Sequence, residues 1–228
     1  MNSTTPAPSG IKTVLFDLDG TLLDTAPDLA YALNALLEEQ GRSPLSFDTI
    51  RPHVSHGATA MIRLGFGLSA ESPSFAELRQ RFLDIYAANI SRETRLFTGM
   101  EDVLSDLERR QMSWGIVTNK PAFLTEPLLV HLSLRHRAAC VISGDTTANK
   151  KPHPEPMLLA CRQTNSVATE CVYVGDAQRD IEAGSRAGMP TLIALYGYIG
   201  ADDAPETWGA SASLNNPADL MRWLDKTG

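Results

Sequence analysis

Two acidic residues separated by a single leucine follow an apolar run near the N-terminus of this 228-residue chain. The segment Thr13–Phe16 predicts a buried β-strand that leads directly into Asp17 and Asp19. Carboxylates beside a buried strand are costly unless an opposite charge compensates them. A divalent cation would do so, and it would also allow one carboxylate to attack phosphorus. The segment therefore predicts Mg²⁺-dependent phosphoryl chemistry.

Three further segments carry polar side chains of the kinds that phosphoryl transfer uses. They are, in chain order, Thr118-Asn119 after the apolar run 114–117, Lys150-Lys151-Pro152 in a loop, and Asp176 with Asp180 after the apolar run 171–175. One carboxylate can attack phosphorus, and a second acid can protonate the leaving oxygen and then activate water. A lysine and a hydroxyl can bind the remaining phosphoryl oxygens. Gly20 would let backbone N–H groups approach those oxygens closely.

The predicted order of helices and strands explains how these distant segments can meet. From residue 97 onward, short apolar strands alternate with helices, each of about ten residues, which predicts βαβ units and a parallel sheet covered on both faces. In such a sheet the carboxyl ends of the strands share one edge, where ligands bind. We therefore expect all four polar segments at that edge.

The segment between the first strand and residue 97 has a helical pattern instead. Leu29, Leu33 and Leu36 recur at helical spacing, and Ser46 can cap a short helix over residues 47–53. We predict no strand in this segment. An insert that leaves from the carboxyl end of the first strand is well placed to act as a lid.

The sequence thus divides into three predicted parts. They are a disordered tail over residues 1–10, an α/β core over 11–23 and 97–228, and a helical cap domain over 24–96. The tail is polar, contains two prolines and lacks the apolar stretch of a signal peptide.

Composition excludes several kinds of partner. The net charge of −7 argues against nucleic acid, which would need a basic face. No apolar run approaches the ~20 residues that cross a bilayer, so no membrane partner is expected. The three cysteines, Cys140, Cys161 and Cys171, show no metal-ligand spacing and predict reduced thiols in a cytoplasmic protein. Composition leaves open whether the protein is a monomer or a dimer.

From Ile11 onward the chain resembles the haloacid dehalogenase-like phosphatases. The matching segments are, in chain order, Asp17-Leu18-Asp19-Gly20-Thr21, Ile116-Val117-Thr118-Asn119, Lys151-Pro152, and Gly175-Asp176 with Asp180. The resemblance implies a Rossmann-like α/β core, with an inserted all-helical cap similar to the first cap class of this family.

The resemblance also implies a role for each polar residue. Asp17 would be the nucleophile and Asp19 the general acid and base. Mg²⁺ would be held by the carboxylates of Asp17 and Asp176 and by the backbone carbonyl of Asp19. The phosphate-binding residues would be Gly20, Thr118, Asn119 and Lys151, with Lys150 as the alternative to Lys151. Asp180 would orient Lys151 or a metal-bound water.

The expected substrate is a small acidic phosphate ester. An acid at position 19 favours esters over halides, because a halide leaving group needs no proton donor. The segments 117–121 and 196–198 resemble two groups within the family, which implies 2-phosphoglycolate or N-acetylmuramic acid 6-phosphate as the substrate. The predicted cap turn Ser55-His56-Gly57 would contact the end of the substrate away from the phosphate. His56 departs from both groups, in which a smaller residue is expected.

Two alternative functions remain open from the sequence. A phosphosugar mutase of the β-phosphoglucomutase type would return phosphate from the enzyme to a sugar instead of to water. A non-catalytic binding module would keep the same fold without turnover.

Overall fold

The computed structural model describes residues 10–227, so the predicted tail lies outside the described residues except for Gly10. The strands are β1 (Thr13–Phe16), β2 (Leu23–Asp24), β3 (Arg95–Leu96), β4 (Ser113–Val117), β5 (Val141–Ile142), β6 (Cys171–Gly175), β7 (Thr191–Ala194) and β8 (Ala212–Leu214). The α-helices are α1 (Ala26–Glu39), α2 (Phe47–Ile50), α3 (Gly57–Phe66), α4 (Phe75–Ala88), α5 (Met100–Arg109), α6 (Ala122–His131), α7 (Glu155–Gln163), α8 (Gln178–Ala187) and α9 (Asp219–Thr227).

Six strands form one parallel sheet in the order β5-β4-β1-β6-β7-β8, which confirms the predicted α/β core. The register sets Phe16 of β1 beside Ile116 of β4 and Val174 of β6. The residues that follow these positions therefore leave the sheet at the same edge. The strand order reverses at β1, and such a reversal is where parallel α/β sheets form their ligand sites.

Helices cover both faces of this sheet. In β1, Leu15 packs into one apolar cluster with residues of α7 and α8, such as Met157 and Ala183. Its neighbours Val14 and Phe16 pack into the other cluster, which also contains residues of α5, α6 and α9. This alternation follows from the period of two along a strand.

The helices α1–α4 lie between β2 and β3 in the chain. Helix α1 packs against α4, and their apolar residues Leu33, Phe82 and Tyr86 are fully buried. Among the described residues, no helix is both long and apolar enough to cross a membrane.

The prediction that the insert holds no strand is wrong. Arg95–Leu96 pairs in antiparallel fashion with Leu23–Asp24, so a two-stranded ribbon carries both connections between the sheet and the inserted helices. Strands of two residues are too short to show an alternating pattern, so no periodicity indicates them. The domain bounds at residues 24 and 96 remain predictions.

The predicted helix over residues 47–53 also differs in the structure. Helix α2 is capped by Ser46, whose hydroxyl accepts from the Thr49 N–H, but it ends at Ile50. A 3₁₀ segment, Arg51–His56, follows. Pro52 lacks the N–H that another α-helical turn would use, and its ring disfavours that turn. The segment ends at Gly57, whose φ of 73° favours glycine.

Candidate active site

A buried lysine and two buried aspartates form the floor of the site. Asp17 directly follows β1 and is 3% exposed, while Lys151 is 2% and Asp180 0% exposed. The Lys151 Nζ lies 2.8 Å from Oδ1 of Asp17 and 2.8 Å from Oδ1 of Asp180. It also donates to the Val117 carbonyl at 2.9 Å and to the Tyr173 hydroxyl at 2.8 Å. The ammonium is therefore fully engaged with the floor.

The backbone of Lys151 is held in place by Asn119. The Asn119 Nδ2 donates to the Lys151 carbonyl at 3.0 Å, and the Lys151 N–H donates to the Asn119 Oδ1 at 3.0 Å. This reciprocal pair links the segment after β4 to the loop that carries the lysine. The side chain of Asn119, predicted to bind phosphate, is thus used to position Lys151.

Asp176 follows β6 and completes the floor. Its Oδ1 accepts from the Thr21 hydroxyl at 3.2 Å, and its Oδ2 accepts from the Tyr198 N–H at 3.0 Å. Gly20, at φ 82°, passes so close that a Cβ there would lie 2.2 Å from Asp176 Oδ2. The Gly20 N–H donates to the Leu23 carbonyl at 3.0 Å. Close approach to Asp176 is therefore what requires glycine at this position.

Three carboxylates of the floor meet closely enough to share a cation. Oxygens of Asp17, Asp176 and Asp180 all lie within 4.8 Å of one another. Burial raises the pKa of Asp17 to about 7, against the opposing charge of Lys151. Burial, and then the charge of Asp180, raise the pKa of Asp176 to about 6. A further positive charge beside them would therefore favour the deprotonated form of both aspartates.

One atom of this cluster also lacks a hydrogen-bond partner. The contact between Lys151 and Asp180 Oδ1 does not have hydrogen-bond geometry, so this buried oxygen has no donor among the described residues. Oxygens of three neighbouring carboxylates are the kind of donor set that Mg²⁺ prefers. The residues present therefore fit a divalent metal, and Asp180 lies close enough to contribute a ligand atom beside the predicted pair of carboxylates.

Asp19 points to a different set of partners. Its Oδ1 accepts from the Thr25 hydroxyl at 2.6 Å and from the Lys120 Nζ at 2.9 Å. The same Nζ donates at 2.9 Å to the hydroxyl of Tyr86 in α4. Burial raises the pKa of Tyr86 to about 12, so the tyrosine is a neutral acceptor. Lys120 thereby connects the second acid of the first motif to the inserted helices.

A cavity of about 290 Å³ lies between the floor and the inserted helices. Asp17, Asp19 and Thr118 line it from the side of the sheet, and Ser55 and His56 line it from the insert. The Thr118 hydroxyl accepts from the Lys120 N–H at 3.1 Å, so its own O–H can be donated to a ligand. The structure therefore brings the predicted catalytic residues and the predicted cap turn to one cavity.

The cations around this cavity differ in burial. Lys151 lies beneath Asp17 and is not in the cavity wall, whereas the alternative candidate, Lys150, is exposed at the rim. Lys120, Arg179 and Arg79 also line the wall, and Arg79 is exposed. Lys120 and Arg179 were not predicted as site residues. Their only sequence signal is their adjacency to the motifs at 118–119 and 176–180.

Polar contacts join the inserted segment to residues that follow strands β6 and β7. The Ser55 hydroxyl donates to Asp176 Oδ2 at 2.7 Å, and Arg179 Nη2 donates to the Ser55 carbonyl at 2.7 Å. Arg51 Nη1 donates to the Gly197 carbonyl at 3.2 Å. Burial and the charge of Arg179 lower the pKa of His56, which therefore stays neutral at pH 7. The cap turn thus contacts the floor through Ser55.

Comparison with known proteins identifies the family. Residues 14–194 match the sequence profile described as haloacid dehalogenase-like hydrolase. The chain belongs to this family. Divalent-metal chemistry is general in the haloacid dehalogenase-like hydrolases, in agreement with the carboxylate cluster.

Relatives in this family are named as phosphatases. The chain is 41% identical over 215 residues to an N-acetylmuramic acid 6-phosphate phosphatase of Pseudomonas putida, covering 94% of this chain and 96% of the relative. It is 44% identical over 209 residues to a phosphoglycolate phosphatase of Xanthomonas campestris, covering 92% and 94%. This haloacid dehalogenase-like protein is therefore a phosphatase, and neither the mutase nor the non-catalytic alternative is favoured.

Solved structures agree on the fold. The crystal structure of a predicted phosphoglycolate phosphatase from Haemophilus somnus superposes with a TM-score of 0.83 at 24% sequence identity, covering 94% of this chain and 98% of that chain. At that identity the likeness shows the fold alone. It confirms the haloacid dehalogenase-like α/β architecture.

Proposed function

We propose that this phosphatase hydrolyses a small acidic phosphate monoester, N-acetylmuramic acid 6-phosphate or 2-phosphoglycolate, with Mg²⁺ and through an aspartyl phosphate on Asp17. The observation that carries the proposal is the position of Asp17. Its carboxylate lies at the floor of the cavity, beside two further carboxylates and 2.8 Å from Lys151. Asp19 lines the same cavity, with a separate set of partners.

Asp17 is the nucleophile in this proposal. One of its oxygens forms the new bond to phosphorus while the bond between phosphorus and the ester oxygen breaks. Mg²⁺, held by Asp17, Asp176 and Asp180 and by the predicted Asp19 carbonyl, would offset the repulsion between carboxylate and phosphate. The Thr118 hydroxyl donates to a phosphoryl oxygen. Lys151, beneath the floor, keeps Asp17 ionised and oriented.

Asp19 carries the proton in both half-reactions. Its protonated carboxyl donates to the leaving alkoxide oxygen, and the resulting carboxylate then accepts a proton from the attacking water. As the water oxygen bonds to phosphorus, the bond between phosphorus and the Asp17 oxygen breaks, which releases inorganic phosphate and restores the Asp17 carboxylate. Thr25 and Lys120 both donate to Oδ1 of Asp19, and no hydrogen bond from the described residues goes to its Oδ2. Oδ2 is therefore the atom available for proton transfer.

The cavity supports an acidic substrate of sugar size. Cationic side chains line its wall, and they complement an ester that carries a second negative charge. Its volume of about 290 Å³ is close to the lower end of the ~300–1,000 Å³ of small-molecule sites. A two-carbon acid would fill only part of this space, which favours the sugar acid.

Hydrolysis rates on three esters test the proposal. We expect one of the two acidic esters, with Mg²⁺ present, to show a kcat/KM at least ~100-fold above that of glucose 1-phosphate. Equal and poor rates on all three esters would overturn the substrate assignment. Conversion of glucose 1-phosphate to glucose 6-phosphate would instead identify a mutase.

The proposal also places the enzyme in the cytoplasm. All three cysteines are buried free thiols, as expected in a reducing compartment. Fractionation of the source cells should recover the phosphatase in the cytoplasmic fraction, and recovery from a secreted fraction would contradict this placement.

A further inference from the structure

Arg179 is a half-buried cation at the boundary between the sheet and the cap turn. It lies in the first turn of α8, next to Asp180 of the floor, and its side chain lines the cavity. Its Nη2 donates to the Ser55 carbonyl at 2.7 Å. Arg179 therefore reaches from the catalytic floor to the inserted segment.

The hydrogen bonding of Arg179 leaves donors unused. A guanidinium offers five N–H donors in one plane. Among the described residues, the hydrogen bond to the Ser55 carbonyl is the one that its side chain makes. Arg179 lines the cavity, and a planar guanidinium fork can bind a carboxylate there through two parallel hydrogen bonds.

The other cations of the cavity are less suited to a second anion. The Lys120 Nζ is already engaged with Asp19 and the Tyr86 hydroxyl, each at 2.9 Å. Lys150 and Arg79 are exposed at the rim, where water screens their charge. Arg179 is the cavity cation that combines partial burial with free donors.

Arg179 lies near the floor as well as the cap turn, because its charge acts on Asp17 and Asp176 while its hydrogen bond goes to the Ser55 carbonyl. The phosphoryl group must sit on the Asp17 carboxylate, on the side of the sheet. Through its hydrogen bond to the Ser55 carbonyl, Arg179 also contacts the cap turn, which lines the same cavity. An anion bound between Arg179 and the cap turn would belong to the part of the substrate that is not transferred.

We infer that Arg179 binds the carboxylate of the substrate and thereby determines specificity for acidic phosphate esters. The inference rests on the proposed function and deepens it. Because the same guanidinium donates to the Ser55 carbonyl, one side chain both binds the carboxylate and holds the cap turn in position. Phosphate esters without a carboxylate leave the fork unpaired, and the enzyme discriminates against them.

A pair of matched esters tests this assignment. N-acetylmuramic acid 6-phosphate and N-acetylglucosamine 6-phosphate differ only in the lactyl group that carries the carboxylate. We expect the wild-type enzyme to prefer the carboxylated ester, and Arg179→Gln to lose about 100-fold in kcat/KM on it but less than ~5-fold on its partner. The loss should appear mainly in KM. Arg179→Lys, which keeps the charge without the fork, should recover part of the preference.

Two controls separate this role from a structural one. Ser55→Ala removes a hydrogen bond of the cap turn and should lower kcat/KM on both esters by the same factor. Arg162→Gln removes an exposed arginine on α7 outside the cavity and should leave kcat/KM on both esters unchanged. Melting temperatures of all variants show whether they are folded, and Arg179→Lys serves as the test if Arg179→Gln does not fold.

The outcomes distinguish the two proposals. A wild-type enzyme that shows no preference for the carboxylated ester overturns the inference on Arg179. If the wild-type enzyme prefers the carboxylated ester and Arg179→Gln keeps that preference, the inference on Arg179 fails alone. Equal losses on both esters would assign Arg179 to the phosphoryl group and would also overturn it. A wild-type enzyme that hydrolyses neither acidic ester of the proposed function overturns that function, and the inference with it.

Discussion

The floor and the roof of the cavity are built differently. The floor, formed by Asp17, Lys151, Asp176 and Asp180, is at most 3% exposed and is held at the carboxyl edge of the sheet or in α8. The roof, the turn Ser55-His56-Gly57, is half-buried or exposed and lies in a 3₁₀ segment and at the start of α3. Bond-making groups need fixed positions, whereas groups that admit and release a substrate need less rigid support.

The two regions also differ in how densely they are bonded. Each floor carboxylate meets a charged partner or several donors, such as the Thr21, Ser55 and Tyr198 groups on Asp176. The roof touches the floor through the Ser55 hydroxyl, which donates to Asp176, and the Ser55 carbonyl accepts from Arg179, which is next to Asp180 in the chain. Changes in the floor should therefore lower kcat strongly, and changes in the roof should have smaller effects on kcat/KM.

The largest expected effect is that of Asp17→Asn. The amide is a poor nucleophile of the same shape, so kcat should fall by about 10⁴-fold or more while the fold persists. Steady-state phosphate release measures the loss, and circular dichroism checks the fold. Substantial residual activity in a folded variant would show that another residue attacks phosphorus.

Asp19→Asn should have the second largest effect. Loss of a positioned proton-transfer group lowers kcat by about 10²- to 10⁴-fold. Esters with better leaving groups need less protonation, so the loss should be smaller for p-nitrophenyl phosphate than for a sugar phosphate. Equal losses on both esters would contradict the role of Asp19 as the acid.

Stabilisation by Mg²⁺ should depend on pH. The cation needs Asp17 and Asp176 deprotonated, and their pKa values are raised to about 7 and about 6. Both take up protons as the pH falls from 8 to 5.5, so Mg²⁺ should raise the melting temperature more at pH 8 than at pH 5.5. At ~100 times its Kd, the cation stabilises by about 2.7 kcal/mol.

In the metal-free protein, the pH dependence of stability that these two aspartates cause has the opposite sign. Folded carboxyls with raised pKa values bind more protons than unfolded ones between about pH 4 and 7, so these two groups remove stability as the pH rises through that range. Asp176→Asn removes one ligand and should abolish most of the Mg²⁺ shift at pH 8. An equal shift at both pH values in the wild type would contradict the carboxylate site.

The smallest expected effect is in the roof. Ser55→Ala removes the hydrogen bond to Asp176 and should lower kcat/KM by about 3- to 10-fold on every ester, consistent with one lost hydrogen bond. Ser46→Ala is a matched control in the same insert, because it removes the cap of α2 and lowers stability by about 1 kcal/mol without touching the cavity. If Ser55→Ala instead lost as much activity as the floor variants, the distinction between the two regions would be wrong.

The sequence predicted the floor better than the roof for a physical reason. Floor residues such as Asp17 and Asp176 follow buried strands, and strand patterns together with sheet topology place them at one edge. Lys120 and Arg179 reach their partners through long side chains, whose direction no local pattern encodes. The same applies to Asn119, whose amide binds the Lys151 backbone 32 residues away.

The fold shows the same division. The core strands and the main helices followed from apolar periodicity, including β1 at Thr13–Phe16. The ribbon of β2 and β3 was missed because it is short, and its pairing joins residues that are far apart in the chain. Strand β8 was also not predicted, since Ala212–Leu214 offers only three residues at the edge of the sheet.

Rapid acid quenching during turnover tests the central claim most directly. With ³²P-labelled ester and Mg²⁺, the wild-type protein should carry up to one equivalent of acid-stable, hydroxylamine-sensitive label, and peptide mass spectrometry should place the label on Asp17. Asp17→Asn should carry none. Label on another residue, or turnover without any phosphorylated enzyme under conditions that trap it, would contradict covalent catalysis by Asp17.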